Sequence, residues 1–109
     1  MAKSIAAHAS DYVMLDMMKL GGVTGWLRAA ALAESAGLLA SSHTFPEFST
    51  HLLAVTPTCQ WLEYLDHAGP ILTEPMRIKD GYAVIPDRPG SGLEWNEGAL
   101  QHWKDAHYA

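Results

Sequence analysis

Three residues in this sequence stand where side chains could move a proton: Asp16, His43 and Glu63. Asp16 follows the apolar run "YVML", His43 ends "LLASS", and Glu63 lies within "CQWLEYLD". A carboxylate beside an imidazole fixes its tautomer and raises its basicity, which makes a general-base pair, and a protonated Glu can donate a hydrogen bond to a developing oxyanion. Spacing alone leaves an ordinary reading open, with Asp16 as a turn or N-cap residue and His43 as a satisfied surface or core group. A rival set, His43, Glu47 and His51, imitates metal-ligand spacing. Pro46 spoils it, because the residue before a proline is pushed out of helical geometry and His43 cannot share a helical face with the other two. A metal site there would also lack four good ligands. Cys59 has no basic neighbour nearby in sequence to lower its pKa, so a nucleophilic role is not expected. The four tryptophans, Trp26, Trp61, Trp95 and Trp103, read as core or interface anchors rather than a base-stacking platform.

The elements that would position these residues alternate along the chain. "SIAAHAS" reads as the last turns of a helix and "DYVML" as a short buried strand. "VTGWLRAAALAESAG" then reads as a helix opened by Thr24 and closed by Gly37, with Trp26, Leu27, Ala30, Ala31 and Ala33 as its apolar band. "LLASSH" is a second strand, "PEFSTHLLAVTP" a helix with Pro46 in its first turn and Pro57 ending it, and "CQWLEYLD" a third strand. Residues 1–66 therefore read as αβαβαβ, the pattern of a parallel sheet or barrel with outer helices. In such folds catalytic groups collect where strands end and loops begin, which places Asp16, His43 and Glu63 in one crescent. After Asp66 the chain turns rich in proline and glycine, carries a hairpin signal at Asp80-Gly81 in "IKDGYAVI", and ends in a short helix, "EGALQHWKDAHYA".

Length and composition limit the partners. The 109 residues suit one modest domain, with 49% hydrophobic and 17% charged residues and no apolar run long enough to span a bilayer. The N-terminus has no signal-peptide h-region and the lone Cys59 has no internal disulfide partner, which together favour a reducing cytoplasm. A net charge of −5 argues against nucleic acid, whose phosphates are bound mainly by basic side chains. Small polar ligands and protein partners remain.

The stretches "DYVMLDMMKLGGVTGWLRAAALAESAG", "SSHTFPEFSTHLLAVTPT", "WLEYLD" and "VIPDRPGSGLEW" resemble the C-terminal portion of the mandelate racemase subgroup of the enolase superfamily. That resemblance implies an α/β fold, a partial TIM-type (β/α) barrel of about the last three βα units with a C-terminal β-hairpin and short helix. Residues 1–66 would belong to the barrel and residues 67–109 to a segment that packs back on the family's capping domain. It implies a Mg²⁺-dependent racemase or dehydratase of acid sugars or 2-hydroxy acids, in which Asp16 and His43 match the general-base dyad and Glu63 matches the acid that hydrogen-bonds the substrate carboxylate.

The sequence departs from the family in what it lacks. Its lysines, Lys3, Lys19, Lys79 and Lys104, form no Lys-x-Lys base motif, and no carboxylate precedes Asp11 to match the metal-ligand strands. The expectation is therefore a fragment that binds no Mg²⁺ of its own, with a non-catalytic, self-associating remnant as the alternative. A three-strand piece of a barrel should bare apolar side chains such as Val13, Leu15, Leu39 and Leu62, and a homo-oligomer is expected to cover the open strand edges.

Overall fold

A computed structural model describes residues 1–108, which divide into two compact units, Met1–Leu65 and a second from Asp66 onward. The first unit opens with α1 (Ala2–Ala6), followed by strand β1 (Tyr12–Leu15) and a one-turn helix α2 (Met17–Leu20). Helix α3 (Val23–Ser35), strand β2 (Leu39–Ser42) and helix α4 (Pro46–Ala54) complete it. The strands pair in parallel with Tyr12 opposite Leu39 and Leu15 opposite Ser42.

Strand alternation sends Leu15, Ala40 and Ser42 to one face, where Leu15 and Ala40 cluster with Trp26, Ala29 and Ala30 of α3 and with Leu52 and Leu53 of α4. The buried stripe of α3 is Trp26, Ala29, Ala30 and Ala33, one residue out of phase with the expected band: Leu27 and Ala31 are exposed. The Trp26 indole fixes that phase. Its ring is fully buried, and Nε1–H donates to Thr56 Oγ1 at 3.0 Å, which in turn donates to the Leu52 carbonyl at 2.8 Å.

Gly22, not Thr24, is the N-cap of α3, with φ of 84° in a region that L side chains seldom enter. The other end follows expectation. Gly37 takes φ of 66°, and the Leu38 and Gly37 amides return to the carbonyls of Ala33 and Glu34 in a Schellman closure.

Gly25 matters for a different reason. A Cβ there would stand 1.7 Å from the Leu20 carbonyl oxygen, so α2 and α3 meet backbone to backbone. In an open helix, Gly to Ala stabilises by up to about 1 kcal/mol. Here Gly25→Ala is expected to destabilise by roughly 1–3 kcal/mol in urea unfolding, since the clash is with main chain that cannot rotate away. A gain in stability would show that the two helices are not in contact.

The third expected strand is mostly absent. Cys59 bridges Ala40 in parallel, with Ala40 N–H donating to Thr58 O and Gln60 N–H to Ala40 O. The next bond then skips a residue, because Ser42 N–H donates to Trp61 O where regular pairing would use Gln60. That slip ends the ladder, and Glu63 N–H is taken by the Ser42 side-chain oxygen at 2.9 Å instead.

Among the four side chains expected to be bared, Leu15 is buried at 2% exposure, Val13 and Leu62 are half-buried, and Leu39 is exposed. The bare face carries Tyr12 and Met14, 58% and 54% exposed, and Trp61 is 70% exposed. Alternation explains this: the helices cover one face of the two strands only. Trp95 and Trp103 are also about half exposed, so Trp26 is the tryptophan that serves as a core anchor.

In the second unit, strands β3 (Arg77–Lys79) and β4 (Tyr82–Val84) form the expected hairpin, with Asp80 and Gly81 both at positive φ as a type I′ turn requires. A short 3-10 turn spans Gly69–Ile71, Leu72 bridges Trp95, and Arg88 pairs with Glu74. Helix α5 (Glu97–Tyr108) starts from Asn96, whose side-chain oxygen accepts the Ala99 N–H at 3.0 Å. Ala109, the last residue of the expected helix, lies outside the described residues. No helix among the described residues is long and apolar enough to cross a membrane.

Candidate active site

Asp16 is the N-cap of α2. Its Oδ1 accepts the main-chain N–H groups of Met18 at 2.9 Å and Lys19 at 3.1 Å, which leaves Oδ2 free to face the next strand end. His43 is carried there because its own N–H donates to the Leu15 carbonyl at 2.8 Å, extending the strand pairing by one residue. Its Nδ1 sits 2.9 Å from Asp16 Oδ2. An ionised carboxylate only accepts, so the neutral imidazole carries its proton on Nδ1 and leaves Nε2 as the open base.

Asp16 is 7% exposed. Burial raises its carboxyl, but the Lys19 N–H, the His43 ring, the Met18 N–H and the Lys19 charge together outweigh it and hold the pKa below the ordinary value. The carboxylate is therefore charged across the neutral range.

Glu63 joins from the other side of β2. Its Oε2 accepts the Thr44 N–H at 2.7 Å, and Thr44 follows His43 directly. Thr44 and Phe45 both hold positive φ, 52° and 47°, a strained turn for residues with side chains. The turn is held by Ser49, whose hydroxyl donates to the Thr44 carbonyl at 2.9 Å and whose N–H donates to the Phe45 carbonyl at 2.9 Å. The structure thus brings Asp16 and His43 into direct contact and sets Glu63 one residue away through the chain. Thr44 and Ser42, which fix Glu63, were not legible as site residues in the sequence. Their signal lies only in their places beside His43 and opposite the broken ladder.

His43 lies three residues before the start of α4, the helix that carries Glu47 and His51. Among the described residues no three His, Cys, Asp or Glu side chains converge to hold a metal ion. Partial burial pushes the Cys59 thiol up, away from the reactive thiolate.

Comparisons with known proteins agree on one family. The family model for enolase C-terminal domain-like proteins matches residues 1–99. The L-talarate/galactarate dehydratase of Salmonella typhimurium is 34% identical over 95 residues, covering 87% of this chain and 24% of that protein. Among solved structures, an enolase from Bradyrhizobium complexed with magnesium and mandelic acid is 54% identical with a TM-score of 0.87, over 93% of this chain and 28% of that one. An L-talarate dehydratase from Polaromonas sp. JS666, complexed with Mg and L-glucarate, is 36% identical with a TM-score of 0.82, over 92% and 28% respectively. The chain spans about a quarter of the length of the curated relatives it matches. The matched magnesium-bound structures imply a metal for which the described residues offer no ligand set. Fold, order of elements and these matches together place the chain in the enolase superfamily, as a C-terminal domain-like member of its mandelate racemase and muconate lactonizing enzymes.

Proposed function

We propose that this chain is the acid–base part of a racemase or dehydratase acting on a small hydroxy or sugar acid. The observation that carries the reading is the 2.9 Å contact between His43 Nδ1 and Asp16 Oδ2 at the ends of paired parallel strands. In this reading His43 Nε2 takes the proton from the carbon α to the substrate carboxylate. The C–H electron pair moves into the carboxylate as an enediolate, and the new N–H bond leaves an imidazolium paired with Asp16. In its protonated form Glu63 donates a hydrogen bond from Oε1–H to a substrate carboxylate oxygen, while its Oε2 accepts from the Thr44 N–H. In a dehydration the imidazolium then protonates the departing hydroxyl, which leaves as water; in a racemisation a second acid from outside these residues gives its proton to the opposite face of the carbon, while His43 keeps the one it took.

Residues 1–66 form the last part of a (β/α) barrel in this proposal, and the later segment packs on a capping domain. The metal ligands and any second base come from barrel strands outside these residues, in the same polypeptide or a partner. A second reading, a non-catalytic self-associating module, draws on the bare face of Tyr12 and Met14 and the exposed Trp61.

One experiment separates them. The chain is mixed with the part of the Salmonella dehydratase that precedes the matched segment, with Mg²⁺, in D₂O. Deuterium should enter the α position of galactarate or mandelate with the mixture and not with His43→Asn. The chain alone should give no exchange and should scatter light as a dimer. A folded mixed complex that never exchanges deuterium would leave the module reading in place.

A further inference from the structure

The Asp16–His43 pair has a charged neighbour. Lys19 Nζ lies 3.7 Å from Asp16 Oδ2, the same oxygen that faces His43, while its side chain remains 77% exposed. It reaches there because α2 is one turn long: Asp16 caps the turn, and Lys19 stands in its last turn before Gly21. The faces that α3 and α4 bury are Trp26, Ala29, Ala30 and Ala33, and Pro46, Ser49, Thr50, Leu52 and Leu53. Glu63 is engaged with the Thr44 N–H, and among the described residues the ionisable groups paired with Asp16 are His43 and Lys19.

We infer that Lys19 is a positioning residue of the pair, whose ammonium shares Asp16 Oδ2 with the imidazole and keeps the carboxylate from holding the imidazolium too firmly. This rests on the proton-transfer reading above. Before proton abstraction the trio sums to zero charge, as Lys⁺, Asp⁻ and neutral His. Afterwards it sums to +1. A bare Asp–His pair would go from −1 to zero, which favours keeping the proton. Lys19 therefore weakens the pair as a base and strengthens it as an acid, which a reaction that must give the proton back requires. The hydrogen bonds to Asp16 Oδ1 keep the carboxylate in place meanwhile, so the ammonium is left to act through charge.

The test uses the chain itself, so it does not depend on whether exchange is ever seen. Asp16 is followed by carbon NMR of its carboxyl in the wild type, Lys19→Met and Lys19→Arg, at low and high salt. The titration midpoint should move upward in Lys19→Met and return in Lys19→Arg. High salt should move the wild type toward Lys19→Met and leave Lys19→Met in place, because an exposed ammonium is screened. With the complemented mixture, Lys19→Met should raise the ratio of deuterium exchange to net turnover by about two- to five-fold, the size expected of an exposed ion pair. An Asp16 midpoint identical in the wild type and Lys19→Met would overturn the inference, as would an Arg variant that behaves like Met. If the mixture shows no exchange at all, the catalytic reading fails while the carboxyl titration still decides the role of Lys19.

Discussion

Asp16→Asn is expected to lower α-proton exchange by about 10²- to 10⁴-fold, the range of a lost general base, while leaving the fold nearly intact. The reason is geometric. The Asn side-chain oxygen should keep the two α2 amides now held by Oδ1, because they offer only donors. Its NH₂ then occupies the place of Oδ2 and points a donor at His43 Nδ1. The imidazole must answer as an acceptor there, so its proton moves to Nε2 and the base is blocked. Nitrogen NMR should read the neutral His43 ring as Nδ1-protonated in the wild type and Nε2-protonated in Asp16→Asn. An unchanged tautomer would show that the contact does not govern the ring. Asp16→Ala should in addition cost about 1 kcal/mol through the lost helix cap.

The same carboxylate sets a pH limit. Its pKa in the fold lies below the ordinary Asp value, so its contribution to stability is present above that ordinary value and is lost as pH falls through the lower, folded one. This acid limb should be missing from an Asp16→Asn unfolding profile.

Trp26→Ala should be the most damaging single change to the fold. The ring has no exposed surface, touches the α3–α4–sheet core, and donates to Thr56. Large-to-small changes of this kind cost about 3–5 kcal/mol. At roughly 0.05–0.15 kcal/mol per residue, that matches much of the stability a unit of this size can have. The first unit is therefore expected to lose its cooperative urea transition. Trp26→Phe keeps most of the apolar burial and loses the indole donor, so about 1–2 kcal/mol is expected. A Trp26→Ala chain with an unmoved midpoint would mean that α3 is not anchored by the indole.

Several features could be read directly because they depend on neighbours a few residues away. Pro46 at the first turn of α4, Gly37 beyond α3, and the Asp80-Gly81 turn each follow from backbone angles that only certain residues reach at low cost. The apolar runs of β1 and β2 and the placing of Asp16 and His43 at their ends also came from the sequence, since a short apolar run before a polar residue marks where a buried parallel strand leaves the sheet.

Other features required the chain to meet itself. The phase of α3 is set by the Trp26 indole finding Thr56, a hydrogen bond between residues far apart in sequence, which turned Ala29 inward and Leu27 outward. Gly22 displaced Thr24 as the cap because α2 must turn sharply into α3 at Gly21 and Gly22, and the close pass of Gly25 over Leu20 fixes how sharply. The run around Glu63 has the residue types of a strand, yet the one-residue slip between Ser42 and Trp61 ended its ladder after Cys59.

Sequence by itself therefore marked Asp16, His43 and Glu63 as the acid–base candidates and set the order of β1, α3, β2 and α4 and the close of α3 before Gly37, because propensity and capping act within a turn of helix or a run of strand. Only the tertiary structure decided which oxygen of Asp16 meets His43, that Lys19 shares it, and that Thr44 and Ser42 hold Glu63. Those contacts depend on the register between separate strands and on a strained turn, and a register is chosen by packing across the whole unit rather than by any one segment.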